Sequence, residues 1–337
     1  EEISVATVNK VEGPEGKGGN RGDGSESLTD IILTLDKPIP EEVKVNQHVV
    51  ENITYTPEVS IHDNIFKETP TRGILVTTRK PIVIENNTFD GMGMAGIYIS
   101  NDAQGWYESG PTRDVTIRNN TFTRGKAQAI YVDPTNPNVS TTQTVHENMT
   151  IEGNTFYLEN QSVLDAKSVK DLTFKNNKIY RQDPSVTLTA SAENTQLAVG
   201  ESEKISVETN GTKQDKNLYK FNGCKNVVLE NNSYDGGMNL KAEIQNMDAS
   251  EIKLKGDHIA INGGGNMTET AGDIYYVSSD ENILKVSDTG IVTAVGEGTA
   301  SIRTFAVSGG RKYEGNTIEF TVSGSVEGVL PTGLEID

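Results

Sequence analysis

The feature that most constrains this chain is a short phrase repeated six times. It reads as two apolar residues separated by one, then an Asp, Asn or Gly followed by Asn, then an aromatic residue or Ile two positions on. The copies end at Phe66, Phe89, Phe122, Phe156, Ile179 and Tyr234. The apolar pairs are Val59/Ile61, Ile82/Ile84, Val115/Ile117, Met149/Ile151, Leu172/Phe174 and Val227/Leu229. The recurring asparagines are Asn64, Asn87, Asn120, Asn154, Asn177 and Asn232. Alternation with period two marks strands, and a repeat of this length buries its apolar face only against its own neighbours. The phrase predicts an all-β chain in which each copy is one coil of a right-handed parallel β-helix. Its asparagines stack at one corner and bond from coil to coil.

The spacing locates what is added to the bare coil. Phe66 to Phe89 and Phe156 to Ile179 are both 23 residues, whereas Phe89 to Phe122 is 33 and Phe122 to Phe156 is 34. Two successive coils therefore each carry about ten extra residues, and in a solenoid such insertions cluster on one face and build the binding site. Ile179 to Tyr234 is 55 residues, and removing residues 183–214 restores the spacing of 23. A weaker seventh coil runs through Ile252 and Leu254 to Ile259.

The removed segment, with its LAVGES run, and the later VSSDENILKVSDTGIVTAVGEGTASI run together resemble one bacterial Ig-like domain of group 2. That resemblance implies a β-sandwich formed by residues 183–214 and 263–324, interleaved with a β-helix formed by 46–182 and 215–262. Residues 325–337, with PTGLEID, resemble a linker or the start of a further Ig-like repeat. The chain begins with EEISVATVNK and is expected to be a fragment of a longer, secreted or cell-surface bacterial protein.

Charge and special residues narrow the function. Thirty basic against 48 acidic residues give a net charge of −18, which repels nucleic acid and anionic membranes but not neutral sugars. No run of about 20 apolar residues is present to span a bilayer. The lone cysteine, Cys224, excludes an intrachain disulfide and reads as a small packed residue. The four histidines lack metal-ligand spacing, so no metal or other cofactor is expected.

The second strand of each coil carries the chemistry. Ile74/Val76, Ile97/Ile99, Ile130/Val132 and Leu164/Ala166 face inward by alternation. Leu75/Thr77, Tyr98/Ser100, Tyr131/Asp133 and Asp165/Lys167 then face outward. Tyr98 and Tyr131 sit on adjacent rungs beside Asp133, and both insertions leave the chain just after these strands. Aromatic rings for packing against sugar C–H groups and carboxylates for acid–base work are what glycoside chemistry needs. The bland alternative is a stabilising outer tyrosine ladder. The candidate catalytic carboxylates are Asp102, Glu108 and Asp133. The candidate substrate-binding residues are Arg72, Arg79, Tyr98, Asn101, Trp106, Tyr107, Tyr131 and Asp165. Asp114 begins a strand at a turn and reads as structural, and Asp90, at the end of a turn, is a weaker candidate. Amide substitutions at Asp102 or Glu108 are expected to lower turnover at least about 100-fold, with Asp165 acting mainly in binding.

VENITYTPEVSIHDNIF, TRGILVTTRKPIVIENNTF, NDAQGWYESGPTRDVTIRNNTF and FNGCKNVVLENNSYDGG resemble glycoside hydrolase family 110, the bacterial α-1,3-galactosidases. The resemblance implies an exo-acting, metal-independent, inverting hydrolase that removes terminal α-1,3-linked galactose from glycans such as blood group B structures. Residues 1–45 resemble the end of a small β-barrel that interrupts the family's helix. The family's N-terminal coils are absent from this sequence. Where a glutamate is expected near residue 133, this chain has Asp133 and Thr135, which leaves the role of Asp133 open. The competing possibilities are a noncatalytic glycan-binding adhesin module and, more weakly, a pectin-type enzyme. The latter would want a basic groove.

Overall fold

The computed structural model describes residues 4–13, 31–45, 48–102, 110–181, 217–234, 240–246, 251–255, 274–308 and 311–323. The chain divides into two units, Glu1–Glu51 and Asn52–Asp337. In the first, Val8–Glu12 pairs antiparallel with Ile32–Leu35.

The second unit is a parallel β-helix of three sheets. Sheet 1 stacks Val59–His62, Ile82–Glu85, Val115–Arg118, His146–Glu152, Val169–Lys175, Lys225–Glu230 and Glu251–Lys255 in parallel. Sheet 2 stacks Ile65–Lys67, Thr88–Asp90, Thr121–Thr123, Thr155–Leu158, Lys178–Arg181 and Ser233–Tyr234. Sheet 3 stacks Ile74–Val76, Ile97–Ile99, Ile130–Val132, Leu164–Lys167, Tyr219–Asn222 and Leu240–Gln245. The apolar pairs named above point inward and are buried from the second coil on, while Val59 and Ile61 of the first described coil are only partly covered.

The repeated turn has a physical cause. Asp63, Asn86, Asn119, Gly153, Asn176 and Asn231 all take the left-handed backbone conformation, with φ between 51° and 64°. Asp, Asn and Gly are the residues that reach it at least cost, which explains their restriction to that column. The turn sends the next residue inward, and there the asparagines form the ladder. Asn64 Nδ2 donates to Asn87 Oδ1 (3.1 Å), and the relation repeats from Asn87 to Asn120 (3.1 Å), Asn154 (3.0 Å), Asn177 (3.0 Å) and Asn232 (3.1 Å). Each of these donors also bonds a backbone carbonyl, for example Asn120 Nδ2 to Ile84 O at 2.9 Å. Beside the ladder the rings of Phe66, Phe89, Phe122 and Phe156 stack at 4.8–5.0 Å, adding about 0.5–1.5 kcal/mol per pair beyond burial.

The C-terminal strands extend two of these sheets. Sheet 1 continues from Glu251–Lys255 into the antiparallel strands Ile291–Ala294 and Leu284–Val286. In sheet 3, Leu240–Gln245 pairs in parallel with Arg311–Ser323, followed by antiparallel Gly298–Ser308 and Ile274–Ser278. The pairing of residues 183–214 with these strands, expected for an Ig-like sandwich, lies outside the described residues. All described regular elements are strands; no helix among the described residues is long and apolar enough to cross a membrane.

Candidate active site

Sheet 3 positions the site. Its outward column runs Leu75, Tyr98, Tyr131, Asp165, Lys220 and Glu243 on successive rungs, fixed by parallel register. Tyr98 and Tyr131 stack with ring centroids 5.3 Å apart. The Arg72 guanidinium lies over Tyr98 at 5.7 Å, a cation–π distance, so Tyr98 is held between Arg72 and Tyr131. Arg79 is half-buried in the turn between Ile74–Val76 and Ile82–Glu85, past the end of the strand that carries Leu75.

The two aspartates of this face have different surroundings. Asp133 follows the strand Ile130–Val132. Its Oδ2 accepts a bond from the Tyr131 hydroxyl at 2.9 Å and its Oδ1 accepts one from Lys167 Nζ at 3.1 Å. Burial, then the nearby Asp133 charge, pushes the Tyr131 phenol well above its ordinary range, so the hydroxyl stays protonated and donates. The Asp133 carbonyl accepts from Tyr98 Oη and Ser100 Oγ, each at 3.3 Å. Asp165, one rung along, is largely covered, and that desolvation raises its carboxyl above the usual value. A bond from Gln128 Nε2 (3.2 Å) and the Lys220 charge oppose the shift without cancelling it.

Asp165 pairs in register with Tyr131, two residues before Asp133. One rung and two residues along a strand separate the two backbones by roughly 8 Å. The bases of the two insertions are tied together as well: the Asn101 carbonyl accepts from Thr135 N (3.1 Å) and Thr135 Oγ1 (2.8 Å). Asp102 follows Asn101 and is half-exposed. Trp106, Tyr107 and Glu108 lie outside the described residues. Asp114 and Asp90 are structural: Asn148 Nδ2 bonds Asp114, and Asp90 pairs with Arg124 at 2.6 Å. Cys224 is buried, bonds the Ala166 carbonyl, and its thiol is pushed up to about 12 by burial. Among the described residues, no group of three or more His, Cys, Asp or Glu is placed to hold a metal ion.

Sequence reasoning missed Gln128 and undervalued Lys167. Gln128 sits in the turn before Ile130–Val132, where alternation does not yet apply, so nothing in the repeat indicates that it reaches Asp165. Lys167 lies in the outward alternation but gains its role only by reaching back one rung to Asp133.

Residues 46–150 match the family described as right handed beta helix region. The chain is 39% identical over 323 residues to α-1,3-galactosidase A of Peterkaempfera griseoplana, covering 95% of this chain and 44% of that protein. It is 47% identical over 157 residues to α-1,3-galactosidase A of Bacteroides thetaiotaomicron, covering 46% of this chain and 27% of that protein. Against α-1,3-galactosidase B of the same organism, identity is 33% over 234 residues, covering 67% and 34%. The chain thus spans less than half the length of these curated relatives.

Proposed function

We propose that the protein is a glycoside hydrolase of the family 110 type. It removes terminal α-1,3-linked galactose from host-type glycans such as blood group B structures, with inversion and without a metal. The observation that carries this reading is the Asp133/Asp165 pair, one rung and two residues apart in contrasting environments. Inverting glycosidases keep their two carboxyl groups about 6.5–9.5 Å apart, leaving room for a water between base and sugar. The similarity to α-1,3-galactosidases supports the bond cleaved and the sugar released.

The roles follow from environment. Asp165, whose raised carboxyl favours the protonated form, is the general acid that gives its proton to the glycosidic oxygen. Asp133, held by Lys167 and Tyr131, is the base that takes a proton from water as that water attacks the anomeric carbon from the opposite face. The glycosidic C–O bond breaks, the alcohol leaves, and Asp165 ends ionised while Asp133 ends protonated; solvent exchange resets both. With both faces of Tyr98 taken by Arg72 and Tyr131, galactose meets the tyrosine pair along its outer edge. This makes Asp165 more than the binding residue suggested by sequence.

Leaving-group dependence tests the assignment. Asp165→Asn is expected to lose at least about 100-fold in turnover of an α-1,3-galactobioside, but far less with dinitrophenyl α-galactoside, whose leaving group needs no proton. Asp133→Asn is expected to lose activity on both and to recover with added azide as nucleophile. If Asp102→Asn behaves in that way and Asp133→Asn does not, the base is Asp102.

A further inference from the structure

Beyond Asp165 the same face opens into a polar groove of about 710 Å³, lined in part by Gln128, Asn217, Lys220, Lys241, Glu319 and Thr321. We propose that this groove holds the neutral oligosaccharide to which the terminal galactose is attached, so that the enzyme reads several sugars beyond the bond it cuts. The inference rests on the hydrolase reading above and adds where the remainder of the glycan lies and what its chemistry is.

Three observations carry it. The first is continuity: Gln128 lines the groove and donates to Asp165, and Lys220 is the register partner of Asp165 on the next rung. A proton donor stands at the leaving-group oxygen. If galactose lies along the outer edge of Tyr98 and Tyr131 and Asp165 protonates the bridge, the leaving sugar begins on the Asp165–Lys220 side, where the groove opens. The second is length. The groove passes from the turn at Gln128 across Asn217 and Lys241 to Glu319 and Thr321, and four rung intervals amount to roughly 19 Å, long enough for several sugar rings.

The third is the charge pattern. Lys126, Lys220 and Lys241 line the groove and would suit an anionic ligand if all stood alone, but two of the three are already paired with carboxylates. Lys220 Nζ lies 3.6 Å from Glu243 Oε2, and Lys241 Nζ lies 3.5 Å from Glu319 Oε1. Glu243 Oε2 also accepts from Asn217 Nδ2 at 2.9 Å. Paired ammonium and carboxylate groups offer donor and acceptor side by side, which matches vicinal hydroxyls and repels neither neutral chain nor solvent. Among the described residues no aromatic side chain lines the groove, so the contacts that these residues offer each ring are hydrogen bonds and chain length sets the gain.

The test uses the protein with two substrates sharing the same terminal linkage: a neutral α-1,3-galactobiose and a neutral tetrasaccharide. The double substitution Lys241→Met with Glu319→Leu removes one exposed ion pair of the groove and touches neither aspartate. Wild type is expected to show kcat/KM at least about 10-fold higher for the tetrasaccharide through a lower KM. The double variant is expected to lose that preference with its disaccharide rate unchanged. Equal kcat/KM on both substrates for wild type, or an unchanged preference in the variant, overturns the groove assignment while leaving hydrolysis intact. Side-chain amide signals of Gln128 and Asn217, followed by NMR as the tetrasaccharide is added, give a readout without turnover. Shifts with no galactose released keep the groove and remove the hydrolase reading; absence of shifts overturns the groove whatever the turnover.

Discussion

Replacing Asn120 by Ala tests how the coils are held together. The Asn120 side chain is almost fully buried, with 1% of its surface exposed. It donates to Ile84 O (2.9 Å) and to Asn154 Oδ1 (3.0 Å), and it accepts from Asn87 N (2.9 Å) and Asn87 Nδ2 (3.1 Å). After truncation, Asn154 Oδ1 still has the Asn120 backbone N–H, and Asn87 Nδ2 still has Ile61 O. The Asn87 backbone N–H and the Ile84 carbonyl lose the bonds named here. The Ile84 carbonyl keeps its partner in the parallel ladder, so one buried donor, the Asn87 N–H, is left unsatisfied at about 1–3 kcal/mol, which with the second bond lost at Ile84 predicts a loss of about 3 kcal/mol. Asn64→Ala is the internal control. Asn64 is exposed and its two donors, to His62 O and Asn87 Oδ1, are within reach of replacement by water, so the predicted loss is below about 1 kcal/mol. Urea unfolding followed by far-UV circular dichroism measures both. Equal losses, or a loss below about 1 kcal/mol for Asn120→Ala, would refute the ladder as a main source of cohesion.

Three further outcomes follow from buried titratable groups. His146 is fully buried, its Nδ1 accepts from Thr112 N at 3.1 Å, and burial lowers it to about 3. Its folded value lies below the unfolded one, so its contribution is present above pH 6.5 and is lost as pH falls toward 3, by up to about 1.4 kcal/mol per pH unit. His146→Asn, which keeps the acceptor, should flatten that slope in urea titrations; an unchanged slope would contradict the burial cause. Asp165 has the opposite sign: its raised carboxyl costs stability as pH rises past the unfolded value near 3.8. Asp165→Asn should therefore melt higher than wild type at pH 7, with the gap closing near pH 4, and a lower melting temperature at pH 7 would count against it. Cys224, with its thiol held near 12 and no surface exposed, should resist a thiol reagent for hours in the folded protein and react at once in urea. Rapid labelling of the folded protein would contradict that burial.

Much of this fold was legible in the sequence because each coil repeats the same physical constraints. The left-handed turn admits mainly Asp, Asn or Gly, the ladder demands Asn, and alternation places Ile97/Ile99 inside and Tyr98 outside. Register then follows, since a slip by one residue would turn every apolar side chain out. Tyr98, Tyr131, Asp133 and Asp165 could be put on one face for that reason. Contacts between rungs were not legible. Gln128 reaching Asp165, Lys167 reaching back to Asp133, and Arg72 covering Tyr98 depend on side-chain direction across neighbouring coils, which no local pattern encodes. The C-terminal strands were legible as strands but not as partners. Their joining to Leu240–Gln245 and Glu251–Lys255 is a choice among sheet edges that alternation leaves open.

The most direct measurement of the central claim is the anomer first released from an α-1,3-galactobioside, followed by proton NMR within the first minutes of reaction, before mutarotation mixes the products. A base and an acid on this face, one rung and two residues apart, predict β-galactose as the first product, with none formed by Asp133→Asn. Release of α-galactose first would mean a double displacement with a nucleophile closer to the acid. No galactose from any α-galactoside would mean that this face binds glycans without cleaving them.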